Sequence, residues 1–470
     1  MDSSPITRRG FLSSTFPGLA ACAAVANPAP VYPSAPEEKP AGLFAENARD
    51  LPLTADADVI VCGAGPAGVT AAITAARAGA RVRLFETHGA LGGVWTSSLL
   101  GHLLDFDKKG FTTELVTRLR ERDAIVAHDR TRDALNYHPE EMKLLLEELC
   151  LSARVSVQIH TRVAAAYREG RQLKTIVTES KSGRQAWTAP VFIDATGDGD
   201  LGAQAGCEFE IGERKACPCQ PLTMMALLLV QDAKELSGMV HGLKGPNRSF
   251  LAELRRAGMS PSYGAPILLH LRGNLLAAML NHEYGVNATD AAAVTAATVR
   301  ARAELHRLVR GLSRLGGAWE GIQIVATPEQ IGIRDGRRIR GRYVVEKEDL
   351  LTGARHDDAV TRATYIVDVH ALSAEQNKKQ AWSESGVKTK PYDIPLRALI
   401  ARDVEGLMMA GRCISGDFIA HASYRVTGNA VAMGEAAGAV AAVAARSRRA
   451  PHEVPWSEGH AALMATRERA

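Results

Sequence analysis

The chain has 470 residues, 46% hydrophobic and 23% charged, a globular balance that excludes disorder along its whole length and allows one large domain or two. Its net charge of +4 is too small to argue for nucleic acid or an anionic membrane as a partner. The seven cysteines (22, 62, 150, 207, 217, 219 and 413) are scattered and odd in number, which is no disulfide framework; Cys62 and Cys150 read as core thiols, Cys217 and Cys219 as turn cysteines ahead of the alternative of a redox pair, and no metal site is expected.

Thr7-Arg8-Arg9-Gly10-Phe11-Leu12, followed by an Ala-rich stretch to Ala26, has the pattern of a twin-arginine export signal. Pro17 and Gly18 argue against a spanning helix there. Two endings are open: Ala24-Val25-Ala26 fits a small-residue cleavage site, whereas Leu19-Ala20-Ala21-Cys22 resembles a lipobox whose Cys22 would carry lipid. The soluble form is favoured. Residues 1–26 are thus expected to be a signal recognised by the twin-arginine machinery, and 27–55 a flexible proline-rich linker. The mature chain is expected in the periplasm or outside the cell, free or lipid-anchored at Cys22.

Residues 56–205 carry the organising motif. Asp58 to Cys62 is an apolar strand, Gly63-Ala64-Gly65-Pro66-Ala67-Gly68 a Gly-x-Gly-x-x-Gly turn, Val69 to Ala80 an Ala-rich helix, and Arg81 to Glu86 a second strand ending in an acid. Gly63 permits a tight turn, Gly65 lets backbone approach a pyrophosphate, and Gly68 lets helix pack on strand. The helix N-terminus, entered at Pro66 and Ala67, offers unpaired N–H groups to phosphate from the residues after the proline, and Glu86 is placed to accept from a ribose diol. In the next loop, Gly92, Gly93 and Val94 let backbone lie against a ligand and Thr96 supplies a hydroxyl. Helices are predicted over 107–122 and 139–151, a strand over 155–159, a hairpin from Val163 to Glu179, and a further strand over 190–194. That last strand runs into Thr196-Gly197-Asp198, a second ligand-facing turn.

The strand–helix rhythm breaks over residues 206–330. Strands are expected at 222–230 and 267–271 and a long helix over 290–315, which suits an inserted α+β substrate subdomain. Residues 331–450 return to the first domain, with short strands at 331–334 and 343–345. A Gly turn follows at Gly411 and Arg412, then Asp417, a loop over 421–426 holding His421 and Arg425, and a helix over 427–446. The first residues of that helix, Thr427, Gly428 and Asn429, present N–H groups to something anionic, and Gly434 and Gly438 allow close packing on a sheet. Residues 451–470 read as a tail. The fold class is α/β: a Rossmann-like domain with an inserted subdomain.

Together the Gly63–Gly68 turn with Glu86, the Leu91–Thr96 loop, Asp194–Asp200, Ile331–Arg334 with Arg337-Arg338-Ile339, Tyr392–Pro395, Ala410–Ser415 and the His421–Arg425 loop with its helix resemble the bacterial FAD-dependent oxidoreductases of the glutathione-reductase-like superfamily, from about Asp58 to Ala445. The resemblance implies FAD lying along the sheet. Its pyrophosphate would rest on the Gly63–Gly68 turn, its adenosine ribose on Glu86, and its adenine beside Val163 backbone. Asp198 or Asp417 would sit near the ribityl chain or phosphates, and the helix N-terminus at the flavin N1–C2=O edge.

Hydride removal beside O or N is faster when a base takes the partner proton. His421 is the first candidate base, Arg425 a candidate clamp for a substrate carboxylate or a stabiliser of reduced flavin, and Arg334 a candidate pocket residue unless Asp335 pairs with it; His282, Tyr284 and His370 stand behind them. The expected function is an exported FAD-dependent dehydrogenase or oxidase taking a hydride from a small organic substrate, with an unnamed electron acceptor. The alternatives are an NAD-dependent dehydrogenase, which has no need of the late Gly-rich helix, and a non-catalytic electron carrier.

Overall fold

The computed structural model describes residues 42, 44, 46–127, 134–213 and 219–468. The export signal with Cys22, most of the linker and Cys217 lie outside the described residues. Five parallel strands form the central sheet: Val59–Cys62, Val82–Phe85, Ser156–Gln158, Val191–Asp194 and Leu407–Met409. Counted in that chain order they lie 3-2-1-4-5 across the sheet. The first strand is flanked in register by Val82–Phe85 on one side and Val191–Asp194 on the other. This arrangement puts the reversal of strand order beside Gly63, where doubly wound sheets bind their ligands. Val59 to Cys62 and Val191 to Asp194 are buried throughout, as strands covered on both faces are.

Between the third and fourth strands the chain makes an antiparallel meander, Arg162–Glu169, Gln172–Ser180 and Gly183–Thr188. Leu53–Thr54 adds to it in parallel on Ala186 and Trp187, so the end of the expected linker is a strand. Residues 206–330 form their own sheet in the order Val240–His241, Ile267–Arg272, Leu275–Met279, Met225–Leu229, Gln323–Ala326. The predicted long helix is present as Ala291–Ser313, its N-cap Asp290 accepting from Ala292 and Ala293 N–H. One sheet face (Ala226, Leu228, Leu268, Leu276) packs with that helix in a core of its own; the other (Met225, Leu227, Leu269, Leu271) meets Leu99. Period-two alternation therefore welds this cap to the main domain.

Several expectations change. Residues 421–426, read as a loop, lie mostly in a helix, Phe418–Tyr424, because Asp417 accepts from Ala420 N and starts it. Residues 331–334 are not a strand; Gly332 bridges Thr223 and Arg334 leaves irregular backbone. Likewise 343–345 contribute only a bridge from Val345 to Gly416. The Gly434–Gly438 face packs closely on the helix Pro66–Arg77 rather than on a sheet: a Cβ on Gly434 would overlap the Ala67 carbonyl, and one on Gly438 that of Ala71. Cys219, read as a plain turn cysteine, is disulfide-bonded.

The expected tail holds a helix, Trp456–Arg467, that docks on the helix Thr427–Ser447. Its anchor is Arg467, which donates to both oxygens of Glu435 at 3.0 and 2.8 Å, while Glu435 also accepts from Phe111 N–H at 3.1 Å. The Glu435 side chain is 2% exposed, so Arg467→Ala strands a buried carboxylate. Urea unfolding of that variant is expected to show a loss of about 3–5 kcal/mol; a change below about 1 kcal/mol would refute the anchoring role.

Candidate functional site

The glycine turn has the shape its residues demand. Gly63 has φ +91°, and a Cβ there would fall 2.5 Å from Ala195 O; a Cβ on Gly68 would overlap Gly63 O. Gly65 differs, because a Cβ there meets nothing within 4 Å. The turn is thus packed from behind at Gly63 and Gly68 and open in front at Gly65, where Pro66 and Ala67 begin the helix with no side chain capping it. Unpaired N–H groups beside open space form a cradle for phosphate. Glu86, 6% exposed, accepts from Ala64 N–H at 2.6 Å and His88 N–H at 2.9 Å. A carboxylate has about four acceptor positions, so it braces the turn with capacity left for a ribose diol.

Gly92 and Gly93 take φ +106° and +52°, and Gly92 N–H donates to Ala64 O at 2.7 Å, which lays the loop on the turn. Val94 is half-buried in it. The Thr96 hydroxyl, expected to serve a ligand, donates to Leu91 O at 2.5 Å and closes its own loop. Val163 is a buried residue of the meander, its carbonyl accepting from Gln204 Nε2 at 3.0 Å. At the second edge, Thr196 turns inward to Asp194, which accepts from the Thr196 hydroxyl at 2.7 Å and from Gly202 N–H at 2.7 Å. Burial pushes the Asp194 carboxyl up to about 6 against those bonds.

Asp198 and Arg412 serve each other. Arg412 donates to Asp198 Oδ1 at 2.6 Å, to Gly197 O at 2.9 Å and to Ile333 O. Its guanidinium therefore ties two turns together, leaving backbone rather than side chain to meet a ligand there. Gly411, φ +84°, is needed because a Cβ would fall 2.9 Å from Ala67 Cβ. Each oxygen of Asp417 accepts one backbone N–H, from Ala420 and from Lys347, each at 2.7 Å, so this carboxylate caps two neighbouring turns.

The start of the helix Thr427–Ser447 behaves otherwise. Gly428 lies against the Asp105 carbonyl, where a Cβ would overlap. The Thr427 hydroxyl and both Asn429 amide atoms are buried without a hydrogen-bond partner among the described residues. Buried polar groups are normally satisfied, so three orphaned atoms at a helix N-terminus mark the place of a polar ligand edge. His421 is fully buried, with neither ring nitrogen in a normal hydrogen bond. Burial, then the Arg338, Arg425 and Arg412 guanidiniums, hold its pKa well below the usual range.

A second group of side chains converges where the cap meets this helix. Asp368 Oδ2 lies 3.3 Å from His370 Nε2 and 3.3 Å from an Arg425 nitrogen. The His370 ring faces His282 at 4.9 Å and Tyr263 at 5.7 Å, and Tyr263 lies 4.0 Å from His282. Arg334 joins from the cap side, and Asp335 does not pair with it: Asp335 binds Arg338 at 3.0 Å. Asp368 is held well below the ordinary carboxylate range by His370, Arg425 and Arg334, despite burial. His370 is brought down to about 4 by burial and Arg334 against the pull of Asp368. Asp368 and Tyr263 were missed in the sequence. The spacing Asp368-Val369-His370 was the available signal, since residues two apart share a strand face.

Three buried neutral histidines make stability pH-dependent. Burial lowers the pKa of His282, His370 and His421 below the unfolded value of 6.5, so below pH 6.5 the unfolded chain binds more protons. Their contribution is complete above pH 6.5 and is lost as pH falls toward the folded values. Urea unfolding at fixed FAD concentration is expected to lose up to roughly 1.4 kcal/mol per histidine per pH unit below 6.5. A stability unchanged between pH 7.5 and 5.5 would show that these rings are not buried neutral.

An α/β sheet with its ligand cradle at the strand-order reversal, and a second helix packed on the first with orphaned polar atoms at its own N-terminus, defines a dinucleotide enzyme with two cofactor-facing edges. Residues 58–463 match the model of the family described as FAD dependent oxidoreductase. The chain belongs to that family, is an FAD-dependent oxidoreductase, and takes FAD as cofactor. The open face at Gly65 fits the pyrophosphate, and the orphaned Thr427 and Asn429 atoms fit the polar flavin edge. No curated protein sequence matches the chain. Among solved structures it is similar to a geranylgeranyl bacteriochlorophyll reductase-like protein from Thermoplasma acidophilum (12% identity, 89% of this chain, 84% of that chain, TM-score 0.44). It is also similar to the flavin-dependent brominase Bmp2 (11%, 87% and 83%, 0.46) and the myxobacterial chondrochloren halogenase CndH (13%, 88% and 78%, 0.45). Likeness this remote says nothing of this chain's chemistry.

Proposed function

We propose that the chain is a glutathione-reductase-like dehydrogenase or oxidase that oxidises a small organic substrate between the cap and the main domain, with His370 as the base. The observation that carries this is the Asp368–His370 pair at 3.3 Å, with His370 Nδ1 buried and unpartnered among the described residues. FAD, which the Gly63–Gly68 turn and the Thr427–Asn429 helix start would hold, would supply the acceptor for the electron pair of the substrate C–H bond. The chain's own residues handle the rest. Asp368 orients the imidazole, as a carboxylate does for a catalytic histidine. The neutral ring accepts the proton of the neighbouring O–H or N–H as the C=O or C=N bond forms. Tyr263 and the cap sheet exclude water.

His421 remains a second reading for the base, favoured by its place one turn before the helix Thr427–Ser447. Three guanidiniums and no carboxylate surround it, which makes it the poorer proton acceptor. Anaerobic mixing of the yellow protein with sugars, amines, hydroxy acids and unsaturated acids tests the function: bleaching by one class supports it, and bleaching by none overturns it.

Export belongs to the same proposal, resting on the Arg8-Arg9 motif and the Ala-rich stretch. Replacing Arg8 and Arg9 by Lys is expected to hold the protein in the cytoplasm. The mass of the mature N-terminus decides between cleavage after Ala26 and lipid on Cys22, and an uncleaved cytoplasmic wild type would refute export.

A further inference from the structure

At the cap junction, donors outnumber acceptors. Arg334 donates to Pro221 O at 2.8 Å and to Thr223 Oγ1 at 2.6 Å, and its other terminal nitrogen lies 3.5 Å from Met279 Sδ. Among the described residues it has no carboxylate within ion-pair distance. Arg425 shares the site and is paired with Asp368. The other nearby acids belong elsewhere: Asp335 to Arg338 at 3.0 Å, Glu283 to Arg300 at 2.9 Å, and Glu304 to Arg307 at 3.6 Å. With the histidines neutral, two guanidiniums face one carboxylate, and one positive charge is left without a partner. Burying such a charge is costly, and a bound anion relieves it.

Orphaned atoms point the same way. Gln220 Nε2 and Arg425 Nε, both obligate donors, are buried without hydrogen-bond partners among the described residues. Gln220 is held by its other end, where Oε1 accepts from His370 N–H at 3.1 Å and from Arg425 at 3.3 Å. The donors are therefore fixed before any ligand arrives.

We infer that the substrate is a small organic carboxylate, its carboxylate bound by Arg334 beside Arg425 and the O–H or N–H on its oxidisable carbon directed toward His370. This rests on the oxidoreductase reading and adds the substrate class. A planar guanidinium suits bidentate carboxylate recognition, and Tyr263 supplies an apolar flank for the carbon skeleton. The bound anion would also offset the Arg334 charge, the largest charge opposing a proton on His370, so substrate binding itself makes the base more basic.

The test titrates the FAD-loaded protein with benzoate, benzamide, acetate and acetamide at constant ionic strength and follows the visible flavin band. The acids are expected to perturb the band saturably, and the amides to bind at least about ten-fold more weakly. Arg334→Gln should weaken benzoate binding by a similar factor and Arg334→Lys should recover part of it, with flavin content and melting temperature as folding checks. Acids and amides binding alike, or benzoate affinity unchanged in Arg334→Gln, would overturn the inference. If Arg334→Gln does not retain FAD, the acid–amide comparison on wild type and the Lys variant decides. Reduction by neutral compounds without carboxylate binding sinks the inference and leaves the oxidoreductase reading; carboxylate binding with no substrate bleaching the flavin does the reverse.

Discussion

Replacing His370 by Gln is expected to leave the protein yellow while slowing flavin reduction by substrate roughly 10²- to 10⁴-fold, the range general-base catalysis supplies. His370 lies in the short strand Val369–His370, paired with Trp382–Ser383, and its backbone N–H is held by Gln220, so the ring can be changed without moving the chain. Asp368→Asn should cost a smaller but clear factor, because an amide can donate where the carboxylate accepted and so favours the wrong tautomer. Anaerobic rapid mixing measures the reductive step apart from reoxidation. His421→Ala is the comparison. Its ring touches no carboxylate, and the variant should reduce far faster than His370→Gln. The reverse order would exchange the two roles and return the base to His421.

Gly434→Val and Gly438→Val are expected to abolish soluble yellow protein together, and singly to cost at least about 3 kcal/mol, the upper end for overpacking. The added side chain meets backbone carbonyls, Ala67 O and Ala71 O, which no rotamer change can move aside. Those carbonyls belong to the first turns of the helix that begins at Pro66, so pushing the two helices apart also displaces the phosphate cradle. Gly65→Ala separates the effects. Its Cβ enters open space, so the apo fold should keep its melting temperature while FAD affinity falls. Melting curves with and without FAD measure both. An unfolded Gly65→Ala protein, or a stable and yellow Gly434→Val protein, would contradict this account of the glycines.

Local rules made much of the chain legible. The Gly-x-Gly-x-x-Gly turn, its flanking strands, the helix capped by Asp290 and the meander after Arg162 follow from periodicity, breakers and caps that act within a few residues. The misplacements had one local source and one long-range source. A single N-cap bond from Asp417 converts the expected loop around His421 into a helix, and the Arg467–Glu435 pair converts an expected tail into packed structure. Side-chain roles were harder still. Thr96, Asp198, Arg412 and Asp417 have the right chemistry for a cofactor, and each also ties a neighbouring loop in place, a role that their local sequence does not show.

By itself, then, the amino-acid order determined an α/β fold, its Gly-x-Gly-x-x-Gly turn and a change of architecture over residues 206–330, because those depend on backbone freedom and hydrophobic period. Only the tertiary structure brought Arg334, Asp368, His370 and Arg425 together, and only it left, among the described residues, the Asn429 amide without a hydrogen-bond partner and Arg334 without a carboxylate. Which buried charges and hydrogen bonds remain unmet is a property of residues drawn together from distant parts of the chain, and no local pattern encodes that balance.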